Sequence, residues 1–82
     1  MVDNIENEIV SIISEISGFE EEKITPEAHF YDDLEIDSIK AIEITVALEK
    51  KFKVAVRDED VPNITTVRQA VDMIRRLIGQ KE

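Results

Sequence analysis

The sequence predicts an all-α domain: a four-helix bundle with a short third helix and a long loop between helices 1 and 2. Three observations predict it. Only two Gly and two Pro punctuate 82 residues, which favours long helices joined by few loops. Three segments repeat apolar residues at spacings of three and four, the period of one helix face. The one stretch that alternates like a strand, Phe52, Val54 and Val56, has no second strand to pair with, so it reads as an extended loop. The length suits a single domain, residues 1–82, and not two.

The first helix runs from about Asp3 to Ile16, with Ile5, Ile9, Ile12, Ile13 and Ile16 on one stripe. Asp3 caps its start with Glu6 three residues on, and Gly18 ends it. Residues 17–37 form the long connection, pinned to the core by Phe30, Tyr31, Leu34 and Ile36. A second helix runs from Ser38 to about Phe52. Asp58 to Val61 forms one further helical turn before Pro62, the short third helix. The last helix spans Val67 to Ile78, with Val67, Ala70, Val71, Ile74, Leu77 and Ile78 on its apolar face. Thr66 and Gln69 make its capping box, and Gly79 is its stop signal.

Composition excludes several functions. Acids outnumber bases 19 to 10, for a net charge of -9. Nucleic-acid backbones and anionic membranes both call for bases, so neither is a partner. A protein partner should offer a basic patch. Residues 1–49 hold fourteen acids and two bases, a net of -12, whereas residues 50–82 carry a net of +3. There is no Cys and a single His, His29, so neither a thiolate zinc site nor a multi-histidine metal site can form. Asp33, Glu35 and Asp37 alternate like the opening of a calcium loop, but Ser38 stands where that loop needs Gly and Ile44 where it needs Glu. No metal site is expected. No apolar run is long enough to insert into a membrane. The N-terminus lacks the features of a signal peptide, which points to the cytoplasm.

The second helix has more apolar surface than a core requires. Ala41, Ile44, Leu48 and Phe52 form one stripe, and Ile39, Ile42 and Val46 form another, offset around the helix. The second stripe is either further core or a patch for a partner. In so small a domain a helix is hard to bury all round, which favours the partner, and Glu43 and Glu49 rim the patch with charge.

Where the long loop meets this helix stands Asp32-Asp33-Leu34-Glu35-Ile36-Asp37-Ser38-Ile39-Lys40. Asp37 or Ser38 can cap the helix by accepting a backbone N–H. Alternatively Ser38 carries a modification, with a phosphate ester near free N–H groups at the positive end of the helix dipole. It is a poor catalytic nucleophile. The chain has no G-x-S-x-G elbow, and its single histidine lies nine residues upstream. No autonomous enzyme is expected.

The stretch Asp33-Leu34-Glu35-Ile36-Asp37-Ser38-Ile39 resembles the Asp-Ser-Leu signature of acyl carrier proteins. Phe30-Tyr31-Asp32-Asp33-Leu34 resembles the segment before the serine in that family. Glu43, Leu48-Glu49 and Phe52 resemble its second helix. Asp58-Glu59-Asp60 and Ile64-Thr65-Thr66-Val67 resemble its short third helix and the start of its fourth. The resemblance implies that Ser38 holds 4'-phosphopantetheine, donated by coenzyme A through a phosphopantetheinyl transferase, with Asp37 assisting that transfer. It implies acyl groups carried as thioesters for fatty acid, specialised lipid or polyketide biosynthesis. The carrier would be a monomer that meets acyl-loading and synthase enzymes through helix 2, at Ile39, Lys40, Ile42, Glu43, Val46 and Glu49. An acyl chain could slip between the helices, against Phe30, Leu48, Phe52, Val56, Val61, Ile64, Ala70 and Ile74.

Two departures stand out. Glu35 occupies the usual glycine position, so the turn before Ser38 lacks the freedom of glycine at positive φ. Lys40, Lys50 and Lys51 put bases on a helix that is usually acidic, unless they pair with Glu43 or other neighbours along it. The Asp-Ser-Ile-Lys run looks more like carriers of polyketide or polyunsaturated fatty acid synthases. An aminoacyl or peptidyl carrier is the first alternative. A small acidic helical interaction module with no prosthetic group, in which Ser38 only caps a helix, is the second.

Overall fold

A computed structural model describes residues 4–81. Three α-helices form: α1 (Asn4–Ser17), α2 (Ser38–Phe52) and α3 (Val67–Lys81). A short 3₁₀ turn at Glu21–Lys23 lies in the long loop, and a 3₁₀ helix, Asp58–Asn63, connects α2 to α3. The expected short third helix is therefore not an α-helix. Pro62 lies inside it, lacks an N–H and biases the preceding residue away from α geometry, so the six residues settle for the tighter turn.

Helix α1 turns Ile9 and Ile13 wholly into the core, with Ile5, Ile12 and Ile16 packed at its margin. Gly18 ends it as expected: φ is +84°, and its N–H donates to Ser14 O at 2.9 Å. The Asp3 cap lies outside the described residues. Helix α1 packs against both α2 and α3. The core is completed by Ile44 and Leu48 from α2 and by Val67, Ala70, Val71, Met73 and Ile74 from α3.

The long loop is ordered by its own bonds. Ile24, Ala28, Phe30, Leu34 and Ile36 are buried. Tyr31, expected among these anchors, is instead 75% exposed. Its neighbours Phe30 and Leu34 take the core positions, and the tight turn between them faces Tyr31 outward. That turn closes when His29 N donates to Asp33 Oδ2 at 2.8 Å while His29 O accepts from Asp33 N and Leu34 N.

The loop also caps α3. The first N–H groups of a helix lack intrahelical partners. Here Val67 N and Arg68 N donate to Ala28 O and Pro26 O of the loop. Gln69 N donates to Thr66 Oγ1 at 3.2 Å and Thr66 N to Gln69 Oε1 at 3.2 Å, the expected capping box. Phe30 N donates to Thr65 O, and an isolated antiparallel bridge joins His29 to Thr66. At the other end, the expected stop at Gly79 is overrun and α3 continues to Lys81. Gly79 does not take the positive φ of a helix-ending glycine, and nothing crowds it. No described helix is long and apolar enough to cross a membrane.

Candidate functional site

Asp37 and Ser38 divide the work at the start of α2. Asp37 is the N-cap: its backbone is extended, and its Oδ1 accepts from Lys40 N at 2.9 Å. Ser38 is thereby the first helical residue, exposed, and its hydroxyl makes no hydrogen bond among the described residues. The chain reaches this point through Glu35 at φ 54°. The left-handed turn that glycine would provide is present, but on a residue for which it costs about 1–2 kcal/mol. A bond from Ile36 N to Phe30 O at 2.7 Å holds it.

Ser38 stands on the rim of a cleft of about 760 Å³ between α2, the long loop and the 3₁₀ helix. Of the residues expected to line a cargo cavity, Phe30, Val56, Val61 and Ile64 border this cleft. Leu48, Phe52, Ala70 and Ile74 do not. Leu48, Ala70 and Ile74 are sealed in the core, and Phe52 packs against it half-buried. Periodicity marks an apolar face but not whether that face meets atoms or space. The wall also includes Ile36, Ala41, Thr45 and Pro62, which the sequence reading missed. Thr45 carried a signal: a hydroxyl in the inward register of α2, one turn after Ala41.

The second apolar stripe of α2 is exposed: Ile39 at 68%, Ile42 at 52% and Val46 at 41%. Ile42 and Val46 also edge the cleft. Glu43 is exposed beside them and Lys40 half-buried. Glu49 has a structural task as well. Its Oε2 accepts from Val56 N at 2.8 Å and so ties down the segment after α2. Lys51 pairs with Glu8 of α1 at 3.5 Å rather than with a neighbour on its own helix. Lys40 and Lys50 form no ion pair among the described residues.

An exposed, unbonded serine on the first turn of a helix, at the rim of an apolar cleft, is suited to carry a covalent arm. Comparison with known proteins supplies the family. The family model described as the phosphopantetheine attachment site matches residues 7–74. The chain belongs to that family. It is a carrier domain of that family, and 4'-phosphopantetheine is the group the family holds. The carrier is 45% identical over 69 residues to the meromycolate extension acyl carrier protein of Mycobacterium leprae (strain TN). That match takes in 84% of this chain and spans 60% of the relative's length. The fold matches the solution structure of the apo doublet acyl carrier protein from prodigiosin biosynthesis with a TM-score of 0.77. There the identity is 24%, over 88% of this chain and 35% of the other.

The residues present fit the arm. Ser38 Oγ is open to an incoming enzyme and already lies on the cleft rim. The arm's thiol would supply the nucleophile that a chain without cysteine lacks.

Proposed function

We propose that this carrier holds acyl groups as thioesters on a 4'-phosphopantetheine arm esterified to Ser38. The observation that supports this best is the unbonded, exposed Ser38 hydroxyl at the mouth of an apolar cleft. In the loading step the serine oxygen forms a phosphodiester with the phosphopantetheine phosphorus of coenzyme A. The pyrophosphate bond breaks, 3',5'-ADP leaves, and the serine proton passes to the transferase or solvent. Asp37 fixes the helix start that presents the serine, and in this reading it also assists the transferase.

Residues 1–82 act as one carrier domain, a monomer in the cytoplasm. Partner enzymes dock on α2 through Ile39, Ile42 and Val46, with Lys40, Glu43 and Glu49 around them. Each of the three aliphatic side chains is worth about 1.5–3 kcal/mol when fully buried, before the cost of association. Phe30, Val56, Val61 and Ile64 shelter the acyl chain. The pathway is a specialised lipid or polyketide synthesis. The unpaired Lys40 and Lys50 and the likeness to a meromycolate extension carrier support that assignment.

Intact mass before and after incubation with coenzyme A and a broad-specificity phosphopantetheinyl transferase tests the reading. The wild type should gain one phosphopantetheine, and Ser38→Ala should gain none while its circular dichroism is unchanged. A folded, unmodified wild type that gains nothing, or a Ser38→Ala that still loads, overturns it.

A further inference from the structure

We propose that the cleft below Ser38 favours acyl chains bearing a hydroxyl over the same chains bearing a ketone or no oxygen, with Thr45 and Glu49 as the selecting residues. This rests on the carrier reading above and names its class of cargo.

Thr45 and Glu49 stand one helical turn apart on the side of α2 that lines the cleft. Thr45 is the buried polar residue of the described chain, 6% exposed. Its proton is committed, because Oγ1 donates to Ala41 O at 2.8 Å. A hydroxyl that has placed its proton offers only lone pairs. Glu49 is an acceptor as well. Its Oε2 takes the Val56 N–H, and its other oxygen has no partner among the described residues. The exposed Ser38, His29, Tyr31 and Thr65 also border the cleft, but among its buried and half-buried lining residues Thr45 and Glu49 are the polar ones, and their side chains present acceptors and no donor.

The chemistry of the cargo follows. A hydroxyl on the acyl chain brings the missing donor. A ketone sets lone pairs against lone pairs. A saturated chain covers the Glu49 carboxylate without offering it a bond. Sites built to hydrogen-bond a ligand discriminate because the wrong ligand leaves their polar groups unpaired. Chain growth by carbonyl condensation leaves a ketone on the β-carbon, and reduction converts it to a hydroxyl. The cleft would thus shelter cargo after that reduction better than before it.

The test uses apo protein loaded at Ser38 by the transferase with octanoyl-, β-oxooctanoyl- or β-hydroxyoctanoyl-phosphopantetheine from the matching coenzyme A thioesters, 3',5'-ADP leaving in each case. The rate of thioester cleavage by hydroxylamine is measured relative to the same thioester on free pantetheine. β-Hydroxyoctanoyl should be protected about five-fold better than the other two, the scale of one net hydrogen bond. Thr45→Val should shrink that difference. Glu49→Gln should shift protection toward the ketone, since its amide oxygen can hold Val56 N–H while its NH₂ faces the cleft as a donor. Thermal melts establish that both variants are folded. Equal protection of the three chains in the wild type overturns the selectivity and leaves the carrier reading intact, as does a preference unchanged in both variants. Failure of loading at Ser38 overturns the carrier reading itself, and the selectivity with it.

Discussion

Asp37 takes the helix-capping bond, and this leaves the Ser38 hydroxyl free for other chemistry. From the sequence either residue could cap, because both suit the role. The register of α2 decides between them, since Lys40 N lies three residues beyond Asp37 and bonds its carboxylate. Asp37→Ala should cost about 1 kcal/mol of stability by urea titration, and Asn at the same position should restore most of it, because both side chains cap well. Equal losses for the two variants would mean that the capping bond contributes little. Glu35 invites the opposite experiment. Its φ of 54° is unfavourable for any residue with a Cβ. Glu35→Gly should raise stability by about 1 kcal/mol, after the added entropy of the unfolded chain is subtracted. No gain would show that the Glu35 side chain contributes a compensating interaction. The missing glycine is visible in the sequence; that the chain adopts the same turn regardless follows from the buried Ile36 and Phe30 on either side.

Two glycines near helix ends behave differently at the scale of elements. Gly18 has positive φ and closes α1, while Gly79 lies within α3 with open space where a Cβ would stand. Gly18→Ala should therefore destabilise the protein by about 1 kcal/mol, and Gly79→Ala should stabilise it by up to about 1 kcal/mol. Melting midpoints of the pair check this, and shifts of the same sign would contradict it. In the sequence both glycines follow an apolar periodic segment and look alike. The Thr66–Gln69 box and the stripes of the three helices were legible because their causes lie within four residues of one another. The loop carbonyls of Ala28 and Pro26 that cap α3 were not, because about forty residues separate them from the N–H groups they bind. The 3₁₀ form of Asp58–Asn63 lay between these cases: its position was readable, but its tight winding around Pro62 was not.

Over the whole molecule, charge is the least balanced quantity. The net of -9 already counts every base, and the ion pairs Lys51–Glu8, Arg57–Glu59 and Arg68–Glu27 lie between exposed groups. Exposed pairs contribute little, so self-repulsion should dominate, and added salt should raise the melting midpoint by screening it. A flat response between low and high ionic strength would mean that the charges are better compensated than their counts suggest. The cleft also belongs to this scale. Helical period, capping residues and the Asp37-Ser38 pair are local properties of neighbouring side chains, so the order of the elements, the inward faces and the candidate attachment point could be read in the chain alone. Which apolar residues close only on one another, as Leu48, Ala70 and Ile74 do, and which also border the cleft, as Phe30, Val56, Val61 and Ile64 do, is set only in the folded molecule. A cavity is a gap between elements distant in sequence, and its shape depends on the angles at which they pack, which no single segment encodes.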